Sequence, residues 1–255
     1  MANSILCRPS GIRNHHDCGS RYTRNRMRRR QAHCILFSMN LSRRALIMLG
    51  AAAPSVLRSQ NSPAGRISAD EALKALMDGN ERFRKGETIT PRRSPADFSS
   101  MALHQAPEAI IIACADSRVP PEILFDQGVG DLFVIRVAGN IVNRAEAGVV
   151  GSMAFAVLVL GAPLVMVLGH SNCGAVEAAL GGKKDSLPPS IRDLVTMVQT
   201  GSEKDLAQAI AANVKAGVVN AKVIEPAFHH LIQKGRLKVV GAVYDLASGR
   251  VSLVG

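Results

Sequence analysis

Apolar positions divide the chain into a first stretch without periodicity and a body in which short apolar runs alternate with amphipathic segments. Residues 1–38 show no repeat of apolar positions. At Ser68 the pattern changes. Ser68 and Glu71 have the spacing of a capping box, in which each side chain satisfies a backbone N–H at the other residue. The apolar spacing that follows predicts a helix to Arg84. A loop rich in Pro, Arg and Ser covers 90–96, and a short helix is predicted to His104. Residues 109–113 are apolar throughout and too short for a stable helix, so they predict a buried strand. Residues 131–137 predict a second strand. Residues 145–160 are apolar nearly all round and predict a buried helix.

Residues 149–169 form an almost unbroken apolar stretch of membrane-spanning length. Gly161-Ala162-Pro163 interrupts it, because proline cannot continue a helix. The two halves therefore predict a helix end and a strand at 164–168. A helix is predicted at 174–180, a Gly/Lys/Pro loop at 181–189, and helices to about Lys234. Strands close the chain at 238–244 and 250–253. Strands alternating with helices predict an α/β fold with a largely parallel central β-sheet flanked by helices.

Charge sharpens the division. The 255 residues carry a net +11. Residues 1–38 hold eight Arg against Asp17 alone, and 39–60 add Arg43, Arg44 and Arg58 without an acid. Residues 61–255 hold 20 basic and 19 acidic side chains, so the body has no basic footprint for nucleic acid. That body has the length of one domain with a substantial core. The 1–38 stretch predicts a disordered basic extension, or translation from upstream of a start at Met39. From Met39, the pair Arg43-Arg44 precedes an apolar run from Ala45 to Ala53. Ala51-Ala52-Ala53 offers small residues for cleavage, and Pro54 ends a run too short to span a membrane. Residues 39–60 resemble a twin-arginine signal peptide, which predicts export to the periplasm. The alternative is a chance Arg pair in a cytoplasmic protein.

Cysteines divide in the same way. Cys7, Cys18 and Cys34 lie in the basic stretch, and the body contains only Cys114 and Cys173. The pair could form one disulfide, but each sits among other metal-type ligands, which favours a metal site. Cys114-Ala115-Asp116-Ser117-Arg118 follows one predicted strand, and His170-Ser171-Asn172-Cys173-Gly174 follows another. In open α/β sheets, sites collect at the carboxyl ends of strands, so both clusters point to one crevice. An extended backbone puts Cys114 and Asp116 on one side. A helix start at Gly174 predicts thiolate at Cys173. Two thiolates and an imidazole suit Zn2+, one ion per subunit, with a fourth position left for water or Asp116.

These two motifs, Cys114-Asp116-Arg118 and His170-Cys173, resemble the signatures of the β-class carbonic anhydrases. The likeness covers roughly residues 66–255. It extends through Ser117-Arg118-Val119-Pro120-Pro121, the stretch from Phe133 to Asn140, and the stretch from Gly241 to Asp245. The resemblance implies a zinc enzyme that hydrates carbon dioxide to bicarbonate. Asp116 would orient the attacking oxygen, and Arg118 would hold Asp116 off the metal. Gln105, Phe133 and Phe155 match substrate-pocket positions that family members assemble across a dimer interface, so a homodimer or higher homo-oligomer is implied. Plant-type members often carry Tyr where Phe155 stands. One subgroup has a regulatory bicarbonate site beside a Trp. Here that position is Ile111, and the chain contains no Trp. This implies the subgroup with zinc open to water.

The same motifs serve enzymes that hydrolyse carbonyl sulfide or carbon disulfide. A non-catalytic, zinc-stabilised module is the other alternative, against which stand Asp116, Arg118 and Gln105, since a structural site needs none of them. His104, His229 and His230 are proton-shuttle candidates on chemistry alone.

Overall fold

The computed structural model describes residues 67–182 and 184–255; the predicted basic extension and signal peptide lie outside these residues. The capping box forms as the sequence predicts. Ser68 Oγ accepts from Glu71 N–H at 3.2 Å, and the Glu71 carboxylate accepts from Ser68 N–H at 2.7 Å. Helix α1 runs Ala69–Lys85 and stops at Gly86, whose φ of 73° few other residues adopt cheaply.

Five strands build the sheet: β1 (Ala109–Ala113), β2 (Leu132–Arg136), β3 (Leu164–His170), β4 (Lys238–Tyr244) and β5 (Val251–Val254). Their order is β2-β1-β3-β4-β5, with four parallel strands and an antiparallel β5. Among the described residues the sheet is accompanied by helices α2 (Pro121–Leu124), α3 (Ala147–Ala154), α4 (Gly174–Leu180), α5 (Pro189–Thr196), α6 (Leu206–Val223) and α7 (Pro226–Gln233). The strand β1 is buried at all five positions, because a parallel strand is covered on both faces. Alternation assigns those faces. Ile110, Ile112, Val165 and Val167 pack with Met153, Val214 and Phe228 on one side. Ile111, Ala113, Met166 and Leu168 pack with Leu76, Leu124 and Phe125 on the other.

Helix α6 sits unusually close to the sheet. A Cβ on Gly169 would lie 2.6 Å from Val214 Cγ2, and one on Gly241 would lie 2.7 Å from Val214 Cγ1. These glycines in β3 and β4 let α6 bring its own polar residues near the strand ends.

Two expectations change. The short helix predicted to His104 is instead two 3-10 turns, Pro95–Asp97 and Ser99–Met101. Asp97 caps back onto Ser94, and Ser favours caps and turns over helix interiors. The second change is at 145–160, where the predicted buried helix is buried on one face only. Val149, Met153, Ala156 and Val157 face the core, whereas Phe155 and Leu158 are 46% and 40% exposed. The chain also widens to a π-helix at Phe155–Val159 before Gly161 turns it. Apart from Glu146 and Ser152 the segment is apolar, too little polar pattern for periodicity to locate its outer face. The 149–169 stretch does split at Gly161 and Pro163, and no helix among the described residues is long and apolar enough to cross a membrane.

Asp126 anchors the loop after α1. Its carboxylate is fully buried and accepts from Arg82 Nε at 2.7 Å, Thr90 N–H at 2.9 Å and Ile89 N–H at 3.0 Å. Burial alone pushes its pKa up, but the Ile89 N–H, the Arg82 side chain and the Thr90 N–H outweigh it and hold the carboxyl below its ordinary value. A depressed carboxyl stabilises the fold above its unfolded pKa of about 4, and that stability is lost as pH falls through the folded value. Asp126→Asn is therefore expected to cost ~1–3 kcal/mol at pH 7 and to flatten the loss of stability below pH 5. Urea melts across that range check it; equal acid slopes in both proteins would remove Asp126 from the account.

Candidate metal centre

Three side chains converge at the carboxyl ends of the strands. Cys114 follows β1 directly. His170 is the last residue of β3, two positions further into the strand than the sequence predicts. Cys173 is the N-cap of α4. All three are buried, and their ligand atoms lie within 4.8 Å of one another. The two Sγ atoms are 4.0 Å apart and form no disulfide. Tetrahedral zinc with bonds of about 2.3 Å to both sulfurs would space them ~3.8 Å apart.

The imidazole decides the fit. His170 Nδ1 lies 2.9 Å from the Ser171 carbonyl, which places the proton on Nδ1. Nε2 is then left with a lone pair. It is buried and has no hydrogen-bond partner. A buried nitrogen without a partner is costly unless something fills its lone pair, and a metal does so. The donor set of two sulfurs and one nitrogen matches zinc.

As a bare pair the two thiols ionise one at a time. Cys114 is pulled down to about 4, chiefly by its hydrogen bond with the Cys173 thiol, with the Gly139 N–H adding to it against burial. Cys173 is pushed up by that same bond and by burial, although the Val176 and Ala175 N–H groups at the start of α4 oppose the rise. A divalent ion between the sulfurs removes the repulsion and lets both ionise.

Asp116 stands beside the trio. Arg118 grips its carboxylate through Nε at 2.9 Å and Nη2 at 2.7 Å, and the Arg118 N–H adds a third bond at 2.9 Å. This pairing holds the carboxyl far below the usual range despite partial burial. Asp116 Oδ2 is 3.8 Å from His170 Nε2, close to the ligands without being one of the three clustered donors.

The other predicted site residues lie elsewhere. Gln105 is exposed, four residues before β1. Phe133 pairs with Ile110 in the parallel register. It is therefore about four residues, or ~13 Å, down the sheet from the level of Cys114. Phe155 is on the exposed side of the π-helical extension of α3. One protomer does not bring Phe133 to the metal ligands.

Three residues at the site carried no assigned role in the sequence. Arg136 Nε donates to the Cys114 carbonyl at 3.1 Å and Nη2 donates to the Asp116 carbonyl, tying the loop that carries both. Gly139 donates its N–H to Cys114 Sγ at 3.3 Å. Asn213, on α6, donates to the Gly139 carbonyl at 2.8 Å. The signals were present: Gly139-Asn140 closes a strand, and Asn213 interrupts an apolar helix face.

A carbonic anhydrase family profile matches residues 109–251. A carbonic anhydrase of Mycolicibacterium smegmatis is 40% identical over 191 residues, covering 71% of this chain and 91% of that one. The chain belongs to the carbonic anhydrases. A carbonic anhydrase of Pseudomonas aeruginosa is 38% identical over 193 residues, spanning 70% of this chain and 86% of the relative. The structure of the β-carbonic anhydrase CcaA aligns with a TM-score of 0.57 at 30% identity, covering 71% of this chain and 94% of that one. A Coccomyxa β-carbonic anhydrase bound to acetazolamide aligns with a TM-score of 0.57 at 28% identity, over 71% of this chain and 86% of that one. These place the carbonic anhydrase in the β class.

Proposed function

We propose that this β-class carbonic anhydrase catalyses the reversible hydration of carbon dioxide to bicarbonate and a proton. The observation that carries the reading is a three-donor site with a pre-paired carboxylate beside it. A structural zinc site closes its fourth position with a protein ligand, and a catalytic one leaves it open. Zinc, when bound, supplies a Lewis acid that lets water ionise near neutral pH.

The chain's own residues do the rest. Asp116 is ionised at any working pH and can only accept hydrogen bonds. It therefore accepts a hydrogen bond from the attacking oxygen and so aims that oxygen's lone pair at carbon dioxide. Arg118 keeps the carboxylate in that role, since both carboxylate oxygens are tied to its guanidinium. Arg136 fixes the backbone between Cys114 and Asp116, so the distance from ligand to acceptor is set before substrate arrives. Ile111 is fully buried in β1, where it offers no indole N–H to a regulatory anion. We assign the enzyme to the subgroup without bicarbonate locking on that basis.

The substrate pocket needs a second copy. Phe133 lies away from its own protomer's ligands, Gln105 is exposed, and Phe155 and Leu158 present an uncovered apolar face. A dimer that covers this face and brings these residues to the partner's zinc is the arrangement we propose.

Stopped-flow carbon dioxide hydration by the zinc-loaded full chain tests the activity, with sedimentation on the same sample for assembly. Fast hydration by a dimer or larger species is expected. Hydrolysis of carbonyl sulfide without carbon dioxide hydration would shift the reading to a related zinc hydrolase. Zinc-bound protein inactive on both would leave a non-catalytic module. A fully active monomer would end the shared-pocket proposal.

A further inference from the structure

We infer that Asn213, a residue of α6 that touches no ligand atom, positions the Gly139 N–H on the Cys114 sulfur and thereby sets how strongly that sulfur donates to the metal. The inference rests on the zinc reading of the site.

The chain of contacts is short, and its two links nearest the sulfur are buried. Cys114 Sγ accepts from Gly139 N–H at 3.3 Å. The same peptide-linked residue offers its carbonyl to Asn213 Nδ2 at 2.8 Å. Asn213 Oδ1 in turn accepts from Gln199 N–H at 3.0 Å, just past the end of α5. Asn213 is only 5% exposed and uses both ends of its amide. Its neighbours on the buried face of α6 are Ala209, Ile210, Val214 and Gly217. A polar amide on that face is expensive unless its bonds matter, and an apolar residue of the same size could pack there.

Gly139 needs such a hold. Its φ of 75° is the left-handed conformation, and a Cβ there would meet Ala175 and Val198 at 3.3 Å. Asn140 beside it is left-handed too, with φ 45°. Two successive left-handed residues are a turn that relaxes readily when its tethers go. The close approach of α6, which Gly169 and Gly241 permit, brings Asn213 into reach of the Gly139 carbonyl.

The chemical consequence follows from charge. Two thiolates neutralise a divalent ion, which weakens it as a Lewis acid. An N–H donated to one thiolate draws electron density back and partly offsets that loss. Outer hydrogen bonds of this kind change metal affinity or activity by about 10–100-fold in other sites. Here the donor is a backbone amide, so only its positioning, through Asn213, is open to side-chain variation.

The test compares wild type with Asn213→Leu and Asn213→Asp. The Leu variant removes both bonds. The Asp variant keeps an acceptor for Gln199 N–H and loses the donor to Gly139, so it separates the two halves if the Leu variant fails to fold. Zinc affinity is read by chelator competition, and the sulfur-to-metal charge-transfer band is read after cobalt(II) substitution. Zinc affinity changed by about 10-fold or more and a shifted band in the Asp variant, with a wild-type circular dichroism spectrum, is the expected result. Affinity within twofold and an unmoved band in a folded Asp variant would overturn the inference while leaving the zinc site standing. Wild type that fails to bind zinc tightly would overturn both.

Discussion

Changing Cys173 or Cys114 to serine is expected to strip the enzyme of zinc and of activity together. The thiolate is the ligand, and a serine hydroxyl does not ionise near neutral pH to replace it. The site has three donor side chains, so losing one leaves two on an otherwise solvated ion. The expected loss of zinc affinity exceeds the roughly 10–100-fold seen when outer contacts alone are removed. Cys173 supports the sharper experiment. In the bare pair it shares a hydrogen bond with Cys114 across 4.0 Å. A serine hydroxyl can keep that bond and stands at the N-cap of α4, where serine is among the preferred residues. The fold should therefore survive in Cys173→Ser while metal is lost. Elemental analysis reads the zinc and circular dichroism reads the fold. Full zinc occupancy in both serine variants would overturn the ligand assignment.

The second large effect is expected at Arg118. Arg118→Ala should retain zinc and lose ~2–4 kcal/mol of transition-state stabilisation, the range seen when one positioned electrostatic partner is removed from an active site. That corresponds to roughly 30–1,000-fold in turnover. The reason is geometric. Asp116 Oδ2 already lies 3.8 Å from His170 Nε2, and only Arg118 holds both carboxylate oxygens. Released, the carboxylate moves to the open position, where it excludes water and stops orienting it. Arg118→Lys should recover only part of the rate, because one ammonium cannot reproduce the two-pronged grip. Stopped-flow hydration at neutral pH, with zinc content measured on the same samples, checks the prediction. Unchanged turnover in Arg118→Ala would remove the carboxylate from the mechanism.

The two experiments separate the metal from the acceptor. Cys173→Ser tests whether these residues hold zinc at all. Arg118→Ala tests whether the carboxylate beside it is kept for the attacking oxygen. A zinc-stabilised module without catalysis would lose zinc in the first and show no turnover to lose in the second.

Much of this enzyme was legible in its residues. The capping box at Ser68, the all-apolar strand Ala109–Ala113, the break at Gly161 and Pro163 and the parallel sheet all follow from local chemistry and period. The ligand trio was legible too. Metal-binding side chains are few and chemically distinct, and a Cys pair with His at two strand ends has few other readings. Two things were not legible. The outer face of α3 is mostly apolar, so its exposure depends on what packs beside it. Asn213 reaches Gly139 across 74 residues of chain, because Gly169 and Gly241 let α6 settle against β3 and β4. Residue type and spacing along the chain determine which chemistry is present, since both act locally. Which backbone amide faces the Cys114 sulfur is decided by packing between segments far apart in sequence.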